Sequence, residues 1–587
     1  MALSSNKMEF VKYIWKFISL VSKYRLRMAV FMVVIIFGVT LETSRSYWLK
    51  MIIDSLETRE NLGLYFGIFS FSIIGGNLIS ALSYHLADKV LIPLAREIRE
   101  KVFQKMMELD FAYHVEKNTG SLISAFRRGD GAVFNIFHNV FRELLAVMIS
   151  LGVSLYLLYW VSPLMALILV GLFLINMVII WWLIKRNLGT RREFNKAEDR
   201  VSGVIADSMI NYETVKFFAA EKRERQRLGK SFDNWVKTLW NFGLTFRIMD
   251  ITIGTVSGAG TLLIMWLALS GSFGVGDLVM VTGLITGFYW QFFNLFFRIR
   301  DIAKSTTDLE KYLEILDMET KVKDPKRPMK IEGLNGEIEF DKVSFLYPKN
   351  KQMVLREVSL KIKDGESVAF VGRSGAGKTT LIKLLLRFYN VSSGQIKIDG
   401  VDIKKMRKSD LRSLMGVVPQ EPVMFNNSIE FNLTYGKENA KRAEIREAAR
   451  KANILEFIEG LPKKWKTEVG ERGIKLSGGQ KQRLAIARAM LADPKILIFD
   501  EATSNLDSES EKMIQKALWE VAKKRTVIII AHRFSTIRNV DKIVVLSNGG
   551  VVETGKHEEL IKNDGIYAKL WTLQSKGKYT DKAEKLI

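Results

Sequence analysis

The sequence predicts a multi-domain membrane protein, in which an all-α transmembrane domain of six helices precedes an α/β domain. Three observations support this fold class. The chain has 587 residues, which is more than one ordinary domain contains. Its first half holds six apolar runs of about 20 residues, the length that crosses a bilayer as a helix. From Gly336 onward the pattern changes to short apolar strands alternating with helices, which is typical of an α/β domain.

The six apolar runs are nearly free of charged residues, and short turns at residues 162–163 and 271–276 join two pairs of them. Long buried helices of a soluble protein are the alternative interpretation. Six runs of this length with so little charge favour membrane crossing instead. The predicted spans are residues 28–47, 65–84, 144–161, 165–184, 251–270 and 278–297.

The placement of Lys and Arg predicts the orientation of the spans. The connections after the second and fourth spans are long and basic, for example at Arg191 and Arg192, whereas those after the third and fifth carry no Lys or Arg. The positive-inside rule therefore puts the N-terminus, both long connections and the C-terminal half in the cytoplasm. This accounts for the formal net charge of +24 without a nucleic-acid partner. We expect a multi-pass protein of the plasma (inner) membrane of a prokaryote.

The composition excludes several kinds of site. The chain has no cysteine, so disulfides and thiolate metal sites cannot form. Its five histidines are scattered, which argues against a histidine-built metal cluster. Residues 1–27 mix basic and apolar side chains without the features of a secretory signal, so we expect them to lie on the cytoplasmic face. The histidines are His85, His114, His138, His532 and His557.

The long cytoplasmic connections are predicted to be helices that continue below the membrane. Each contains a break, the first at residues 111–120 and the second at residues 211–218. A linker with Pro325 and Pro328 follows the last span. The predicted parts of the chain are therefore a transmembrane domain at 1–320, a linker at 321–335 and an α/β domain at 336–587.

A glycine-rich run, residues 372–380, carries the strongest chemical signal. It follows an apolar strand and opens a helix, the context that a phosphate-binding loop requires. Glycines let backbone N–H groups converge on phosphate oxygens at the positive end of a helix. Lys378 would reach the β- and γ-phosphates of ATP, and Thr379 would supply its hydroxyl to Mg²⁺. The predicted ATP contacts of the loop are Gly372, Arg373, Ser374, Gly375, Ala376, Gly377, Lys378, Thr379 and Thr380.

A second apolar strand ends in two carboxylates, Asp500 and Glu501. Two charges at the end of a buried strand are costly unless they meet a cation. Asp500 is placed to hold Mg²⁺, and Glu501 is placed to orient or deprotonate an attacking water. An ordinary strand end with acidic residues is the alternative interpretation, which the nearby phosphate loop disfavours.

Residues 476–480, Leu-Ser-Gly-Gly-Gln, are followed by Lys-Gln-Arg and resemble the signature motif of ATP-binding-cassette (ABC) proteins. The resemblance covers nearly the whole chain and is closest to B-type (type IV) exporter half-transporters. In these proteins the transmembrane domain and the P-loop ABC ATPase domain share one chain. The resemblance therefore implies an ATPase coupled to the movement of a substrate across a membrane.

Further residues match the motifs of this family in order. Tyr347 resembles the aromatic that stacks on adenine, Gln420 the glutamine that approaches Mg²⁺, and His532 the switch histidine that contacts the γ-phosphate. Residues 504–507 resemble the loop that couples two ATP sites. The resemblance thus implies a catalytic set of Glu501, His532 and Gln420, a Mg²⁺ set of Thr379, Gln420 and Asp500, and further ATP contacts from Tyr347, Ser477, Gly478, Gly479 and Gln480.

The resemblance also implies a dimer, because Ser477 and Gly479 of such proteins complete the ATP site of the opposite subunit. One phosphate loop and one signature segment in this chain predict two copies facing head to tail. A heterodimer with a degenerate partner is the alternative. The breaks near residues 111–117 and 212–216 resemble the coupling helices that seat on the ATPase domains, and export is the implied direction.

The cargo is predicted less directly. An aromatic, weakly polar cavity in the sixth span favours an amphipathic drug or lipid. Residues 191–197 and 211–218 resemble the mitochondrial iron–sulfur-related exporters and their bacterial relatives, so a glutathione-type or metal–thiol compound is the alternative. A channel or regulator gated by ATP is an alternative from another class. The predicted cavity residues are Tyr289, Trp290, Gln291, Phe292 and Asn294, with Trp181 and Trp182 as interfacial anchors and Glu42 paired with Arg45.

Overall fold

A computed structural model describes residues 16–116, 119–271, 273–329, 333–348, 350, 352–500, 508–523, 525–530 and 537–575 of the chain. It separates into two compact units. The first consists of Met1–Glu108 and Lys117–Met318, and the second of Leu109–Glu116 and Glu319–Ile587. A short segment from the N-terminal half of the sequence therefore belongs to the second unit.

The first unit is helical, and six segments of the described chain are long and apolar enough to cross a membrane. This confirms the predicted all-α domain with six spans. Four helices have 43 to 50 residues, about 65–75 Å at the usual rise, more than twice the hydrocarbon thickness of a bilayer. The helices of the chain up to Asp317 are α1 (Arg25–Thr43), α2 (Arg45–Asp54), α3 (Leu62–Glu108), α4 (Phe111–Glu116, in the second unit), α5 (Thr119–His138), α6 (Leu145–Val161), α7 (Pro163–Ile210), α8 (Tyr212–Phe217), α9 (Glu221–Ser270) and α10 (Val275–Asp317).

The turns and breaks of this unit follow from local chemistry. Ser162 is extended, with φ −158°, and Pro163 occupies the first turn of α7, where its fixed φ suits a helix start. The predicted breaks in the long connections are occupied by the six-residue helices α4 and α8. A π-helical turn, Asn139–Leu144, joins α5 to α6. Its wider winding alters the direction in which side chains leave the helix.

One apolar core of the first unit lies between α6, α7, α9 and α10. Met249 and Ile253 of α9 and Phe292 of α10 are each at most 1% exposed. Phe292 contacts Phe173 of α7 edge-on, with ring centroids 5.4 Å apart. Close packing of large apolar side chains therefore fixes these four helices with respect to one another.

The second unit contains two sheets, which confirms the predicted α/β fold. A four-stranded antiparallel sheet has the order β2-β1-β4-β5, and a six-stranded sheet has the order β10-β9-β3-β8-β7-β6, parallel except for its edge strand β10. The strands are β1 (Ile338–Phe345), β2 (Leu355–Ile362), β3 (Ser367–Val371), β4 (Ser393–Ile398), β5 (Val401–Asp402), β6 (Met415–Val418), β7 (Ile496–Asp500), β8 (Thr526–Ile530), β9 (Lys542–Ser547) and β10 (Gly550–Gly555).

Strand β3 shows why these residues form a central strand, since all five of its residues are buried. Ala369 and Val371 belong to one apolar cluster and Val368 and Phe370 to another, so the two faces of the sheet pack against different layers. The helices of this unit after α4 are α11 (Lys378–Leu385), α12 (Lys408–Ser413), α13 (Ile429–Thr434), α14 (Arg442–Lys451), α15 (Leu455–Gly460), α16 (Gly478–Leu491), α17 (Ser508–Ala522), α18 (His557–Lys562) and α19 (Ile566–Ser575).

Candidate functional site

Three of the predicted nucleotide-binding elements, the glycine-rich run, Gln420 and Asp500, lie at one edge of the six-stranded sheet. In this sheet β3, β8, β7 and β6 are parallel neighbours, so their carboxyl ends lie side by side. The glycine-rich run follows β3, Asp500 ends β7, and Gln420 lies two residues after β6. Ligands of open parallel sheets bind at this edge, outside the carboxyl ends of the strands.

The phosphate loop depends on glycines at three positions with positive φ. Gly372, Gly375 and Gly377 have φ values of 151°, 83° and 105°. A Cβ at Gly372 would lie 2.2 Å from the carbonyl oxygen of Leu546, so the neighbouring strand leaves no room for a side chain. The loop therefore needs glycine both for its backbone conformation and for close packing. It delivers the chain directly to the N-terminus of α11.

Lys378 is the first residue of α11 and is only 6% exposed. Its Nζ donates hydrogen bonds to the carbonyl oxygens of Gly372 and Arg373, at 2.6 and 3.0 Å. The ammonium is therefore held at the loop that would surround the phosphates. The next residue, Thr379, is exposed, whereas Thr380 is buried and lies 3.1 Å, Oγ1 to hydroxyl oxygen, from Tyr347.

Tyr347 lies against the first turn of α11 with its ring half-buried. Phe345 and Tyr389 contact this ring edge-on, with centroids 4.9 and 5.2 Å away. The hydroxyl contact to Thr380 and these two rings fix the orientation of the tyrosine. The arrangement brings the predicted adenine-stacking residue next to the phosphate loop.

The signature segment begins helix α16 with a capping box. The Ser477 hydroxyl accepts the Gln480 N–H at 3.3 Å, and the Gln480 side chain accepts the Ser477 N–H at 2.9 Å. Gly478 is exposed and Gly479 is buried. Gln482, one turn further, is 3% exposed and donates to the carbonyl oxygen of Pro419 at 3.2 Å. This bond ties the signature helix to the residue just before Gln420.

The residues at this sheet edge can be compared with the ligands that Mg²⁺ requires. Among the described residues no group of three His, Cys, Asp or Glu side chains could enclose a metal ion. Mg²⁺ is bound through one or two carboxylates together with substrate phosphates rather than by a protein cage. One carboxylate, Asp500, and the exposed hydroxyl of Thr379 fit that pattern. Glu501, His532 and the predicted loop at 504–507 lie outside the described residues.

A second candidate site is a cavity of about 210 Å³ in the first unit. It is formed by α1, α3, the π-helical turn with the start of α6, and α10. Its lining combines apolar side chains with charged and amide groups. The polar and charged residues that line it are Glu42, Ser80, Ser83, Arg142, Glu143, Gln291, Asn294 and Arg298.

Glu143 is the centre of the charged groups in this cavity. Its carboxylate lies 3.4 Å from His138 Nε2, 3.7 Å from Arg142 Nη1 and 3.5 Å from Arg298 Nη2. Arg298 Nη1 also donates to Asn139 Oδ1 at 3.3 Å. Charged side chains within a membrane domain face the bundle interior and mark substrate pathways. The π-helical turn is thus the element that directs Arg142 and Glu143 into the cavity.

Two buried polar atoms of the cavity have no hydrogen-bond partner among the residues that the structure describes. They are Nη1 of Arg142, a donor, and Oε1 of Gln291, an acceptor. The Arg142 side chain is only 12% exposed and its guanidinium lies 3.1 Å from the ring centroid of Tyr84. A buried group without a hydrogen bond costs about 1–3 kcal/mol. A ligand with an acceptor for the first and a donor for the second would remove that cost.

This cavity is more polar than the aromatic, weakly polar one predicted for the sixth span, and it contains two of the five residues predicted there. Gln291 and Asn294 line it as predicted. Phe292 instead belongs to the apolar core, and Trp290 is 60% exposed. Tyr289, half-buried, is not among the lining residues. The aromatic side chains of this part of α10 pack or face outward because the polar residues occupy the helix face that borders the cavity.

The charged residues Arg142, Glu143 and Arg298 were missed in the sequence because they adjoin the predicted ends of spans. The third predicted span starts at residue 144 and the sixth ends at residue 297, so the sequence pattern places these charges in the connections. Glu42 and Arg45 do pair as predicted, at 3.6 Å. Trp181 and Trp182 are 64% and 50% exposed, a position that suits lipid contact.

Two protein families match the chain. The profile described as ABC transporter transmembrane region matches residues 28–292, and the profile described as ABC transporter matches residues 355–504. Together they cover the membrane-spanning unit and the sheet edge with its phosphate loop.

Several characterised proteins are similar over most of the chain. ABC transporter B family member 6 of Dictyostelium discoideum is 37% identical over 505 residues, 82% of this chain and 74% of that protein. The mitochondrial iron-sulfur clusters transporter ATM1 of Chaetomium globosum is 33% identical over 586 residues, 96% of each chain. The human ATP-binding cassette sub-family B member 6 is 36% identical over 491 residues, but this chain spans only 58% of its length.

A solved structure supports the same relationship. The structure of a bacterial Atm1-family ABC exporter with ATP bound superimposes with a TM-score of 0.83 at 31% identity. The match covers 94% of this chain and 98% of the other.

Proposed function

This chain belongs to the ABC transporter family, as a B-type half-transporter with its membrane region and ATPase in one chain, and we propose that two copies export an anionic, peptide-like compound. The coarser activity follows from the family: the chain is a multi-pass membrane protein and an ATPase coupled to export. The observation that carries the finer proposal is the charged cavity around Glu143.

In the proposed mechanism the phosphates of ATP bind over the loop at the N-terminus of α11. Lys378 neutralises the β- and γ-phosphates, and Tyr347 stacks on the adenine ring. Thr379 and Asp500, with Gln420, would hold Mg²⁺, which polarises the phosphoryl oxygens when bound. Glu501 orients the attacking water, and His532 stabilises charge on the γ-phosphate.

The active form is proposed to be a homodimer, in which the N-terminus of α16 faces the ATP bound to the other copy. Support comes from exposed aromatic side chains on both units. Phe217 and Phe218, at the end of α8, are 80% and 78% exposed. Phe425, Phe431 and Tyr435 form an exposed aromatic cluster at α13, with ring centroids 4.4–6.0 Å apart. Apolar surfaces of this kind mark protein contacts, and we propose that α8 of one copy docks on the α13 cluster of the other.

A cysteine cross-link tests this docking, since the chain has no cysteine of its own. A Phe217→Cys variant is mixed with a Tyr435→Cys variant in membranes and oxidised. We expect a cross-linked species with one copy of each variant. A mixture of Lys230→Cys with Tyr435→Cys serves as the control, because Lys230 lies on α9 away from α8 in sequence. Equal cross-linking in both mixtures, or none in the first, contradicts the docking.

The cargo proposal rests on the charges of the cavity. Arg142 and Arg298 share one counter-ion, Glu143, while Glu42 is paired with Arg45. The two arginines therefore exceed the carboxylate by one positive charge, which suits a cargo carboxylate. The unpartnered Gln291 Oε1 suits an N–H donor of the same cargo. A compound with both groups, such as a glutathione-type or metal–thiol compound, fits better than an amphipathic drug or lipid. The similar ATM1 protein is itself named an iron-sulfur clusters transporter.

Transport into inside-out vesicles tests the cargo and the energy source together. We expect ATP-dependent uptake of radiolabelled glutathione disulfide by the wild type. A Glu501→Gln variant should bind nucleotide but lose both ATP hydrolysis and uptake. Uptake of a cationic amphipathic dye with no uptake of the disulfide contradicts the cargo class but leaves ATP-driven export intact. Because the fold resembles a bacterial exporter, we propose the plasma membrane of a prokaryote as the site of action.

A further inference from the structure

The second unit contains a row of aromatic side chains that extends from α4 to the phosphate-loop helix. Phe111, the first residue of α4, stacks face to face on Phe388, with ring centroids 4.5 Å apart and an 8° angle. Phe111 also contacts Tyr389 edge-on at 6.2 Å. Tyr389 in turn contacts Tyr347 edge-on at 5.2 Å. These four residues, Phe111, Phe388, Tyr389 and Tyr347, are called the aromatic row below.

Both ends of α11 are connected to the aromatic row. At the start of the helix, Thr380 Oγ1 lies 3.1 Å from the Tyr347 hydroxyl. At its end, Arg387 has a positive φ of 52°, and the Phe388 N–H donates to the carbonyl oxygen of Lys383 at 2.9 Å. This turn ends the helix, and Phe388 and Tyr389 follow it directly in the chain. The helix that begins at the phosphate loop thus ends at the residues that hold α4.

The α4 end of the row is firmly attached. The Asp110 carboxylate accepts the backbone N–H groups of Lys321 and Val322, at 2.6 and 3.1 Å. The Arg412 guanidinium lies 5.0 Å from the ring centroid of Phe388, a cation–π contact. All four rings of the row are half-buried. Aromatic rings have only two side-chain torsions, and rings in contact transmit strain to one another. A shift of Tyr347 is therefore passed to Phe111 instead of being lost in side-chain motion.

We propose that Tyr389 is a positioning residue that couples adenine binding at Tyr347 to the position of α4, by way of the aromatic row. The residue touches neither phosphate nor cargo. Tyr389 lies between Tyr347, which is proposed to stack on the adenine base, and Phe111 of α4. In the sequence, α4 follows α3 and precedes α5. The nucleotide base, and not only its phosphates, then takes part in driving the membrane helices. The inference rests on the proposed adenine contact of Tyr347.

A spin label on α4 provides the test. Val115 is 64% exposed, and a Val115→Cys change creates a unique labelling site because the chain has no cysteine. The label is placed in full-length protein that also carries Glu501→Gln, so that bound ATP is not hydrolysed. Its spectrum is recorded in lipid without nucleotide, with saturating ATP and with saturating inorganic tripolyphosphate. We expect ATP to change the label mobility and tripolyphosphate to produce less than a third of that change.

Variants of Tyr389 then separate coupling from binding. Tyr389→Leu removes the ring, and Tyr389→Phe keeps it as the matched control. We expect Tyr389→Leu to reduce the ATP-dependent spectral change at least threefold while the ATP Kd shifts less than twofold. Tyr389→Phe should behave as the parent. A purely structural role would move the Kd and the spectrum of the nucleotide-free state together, and that result overturns the inference.

Two further variants keep the result decisive. If Tyr389→Leu does not fold, Phe111→Leu breaks the row from its other end and should give the same loss of response at unchanged ATP Kd. A full response in Phe111→Leu, or a full response to tripolyphosphate in the parent, overturns the role of the row. Tyr347→Leu tests the proposed adenine contact separately. An unchanged ATP Kd in Tyr347→Leu rejects that contact. If the ATP Kd of Tyr347→Leu rises but the label in Tyr389→Leu responds fully to ATP, only the coupling through Tyr389 is rejected.

Discussion

The phosphate loop and the membrane cavity present different kinds of atoms to their ligands. The loop supplies backbone N–H groups from consecutive residues, in a conformation that Gly372 and Gly377 make possible. The cavity supplies long side chains from α1, α3, α10 and the π-helical turn, grouped around Glu143. Backbone atoms cannot be exchanged by substitution, whereas each cavity side chain can. In the proposed function, ATP is therefore held by a backbone arrangement, whereas the cargo is held by side chains that single substitutions can alter.

The largest effect is expected from Lys378, the cationic side chain that the phosphate loop places on the phosphates. Lys378→Ala should lower ATP turnover about 100-fold or more, because a buried, preorganised charge on the phosphates is lost. Binding of labelled glutathione disulfide without nucleotide should stay within twofold of wild type. Lys404→Ala, an exposed lysine of the same unit, is the control and should leave turnover unchanged. If Lys378→Ala loses cargo binding as strongly as it loses ATP turnover, cargo binding in the cavity depends on the phosphate loop.

A substitution in the cavity is expected to weaken cargo affinity and leave basal ATP turnover unchanged. Arg142→Ala should weaken the apparent affinity for glutathione disulfide by about 10- to 100-fold, the range for a lost hydrogen bond to a charged group. Basal ATP turnover should remain within twofold. Cargo-stimulated turnover in lipid measures both quantities. Arg96→Ala, whose side chain is 77% exposed on α3, is the matched control. Unchanged cargo affinity in Arg142→Ala would remove the cavity from the cargo pathway.

A buried arginine outside both sites should affect stability alone. The Arg387 side chain is only 4% exposed, and this burial lowers the pKa of its guanidinium. The guanidinium donates hydrogen bonds to the carbonyl oxygens of Met406 and Lys323, at 2.9 and 2.7 Å. Arg387→Met leaves both carbonyls without this donor, which should cost about 2 kcal/mol and lower the melting temperature by roughly 4–8 °C.

Thermal unfolding of the full-length protein in detergent measures that change. Arg450→Met, an exposed arginine of α14 paired with Glu447, is the control and should leave the midpoint unchanged. An equal shift in both variants would show that loss of positive charge, rather than loss of the buried hydrogen bonds, is responsible.

The smallest effect is expected at the aromatics predicted to be interfacial anchors. Trp182 is 50% exposed on α7 and does not line the cavity. Trp182→Phe keeps an aromatic anchor and should change cargo affinity and basal turnover by less than twofold. A fivefold change in cargo affinity would contradict the predicted role of this tryptophan as a lipid anchor and assign it to the cargo site.

The features that the sequence made visible are those built from neighbouring residues. The phosphate loop and the capped signature helix depend on local turns, so a short run such as residues 372–380 is enough to identify them. The six spans are visible because apolar length alone determines membrane crossing. The assignment of Glu501 and His532 stays a prediction, because both lie outside the described residues.

The parts that were missed depend on residues far apart in the chain. Glu143 meets Arg298 across 155 positions of sequence, and neither is unusual at the end of a span. The direction of Arg142 into the cavity depends on a π-helical turn, which no residue pattern marked. The stacking of Phe111 on Phe388 likewise joins two apolar residues that any helix end could contain. Long-range packing of this kind has no local signature.

The attachment of residues 109–116 to the second unit also constrains the order of events during synthesis. Asp110 accepts a hydrogen bond from Lys321, a residue 211 positions later in the chain. The ribosome therefore makes α4 and the remaining membrane helices long before the sheet and Phe388 exist. Until Phe388 is made and the sheet folds, Phe111 has no partner ring to stack on. The contacts of residues 109–116 with the sheet therefore have a very high sequence separation, a kind that forms slowly, and one segment of the second unit is encoded in the first half of the gene.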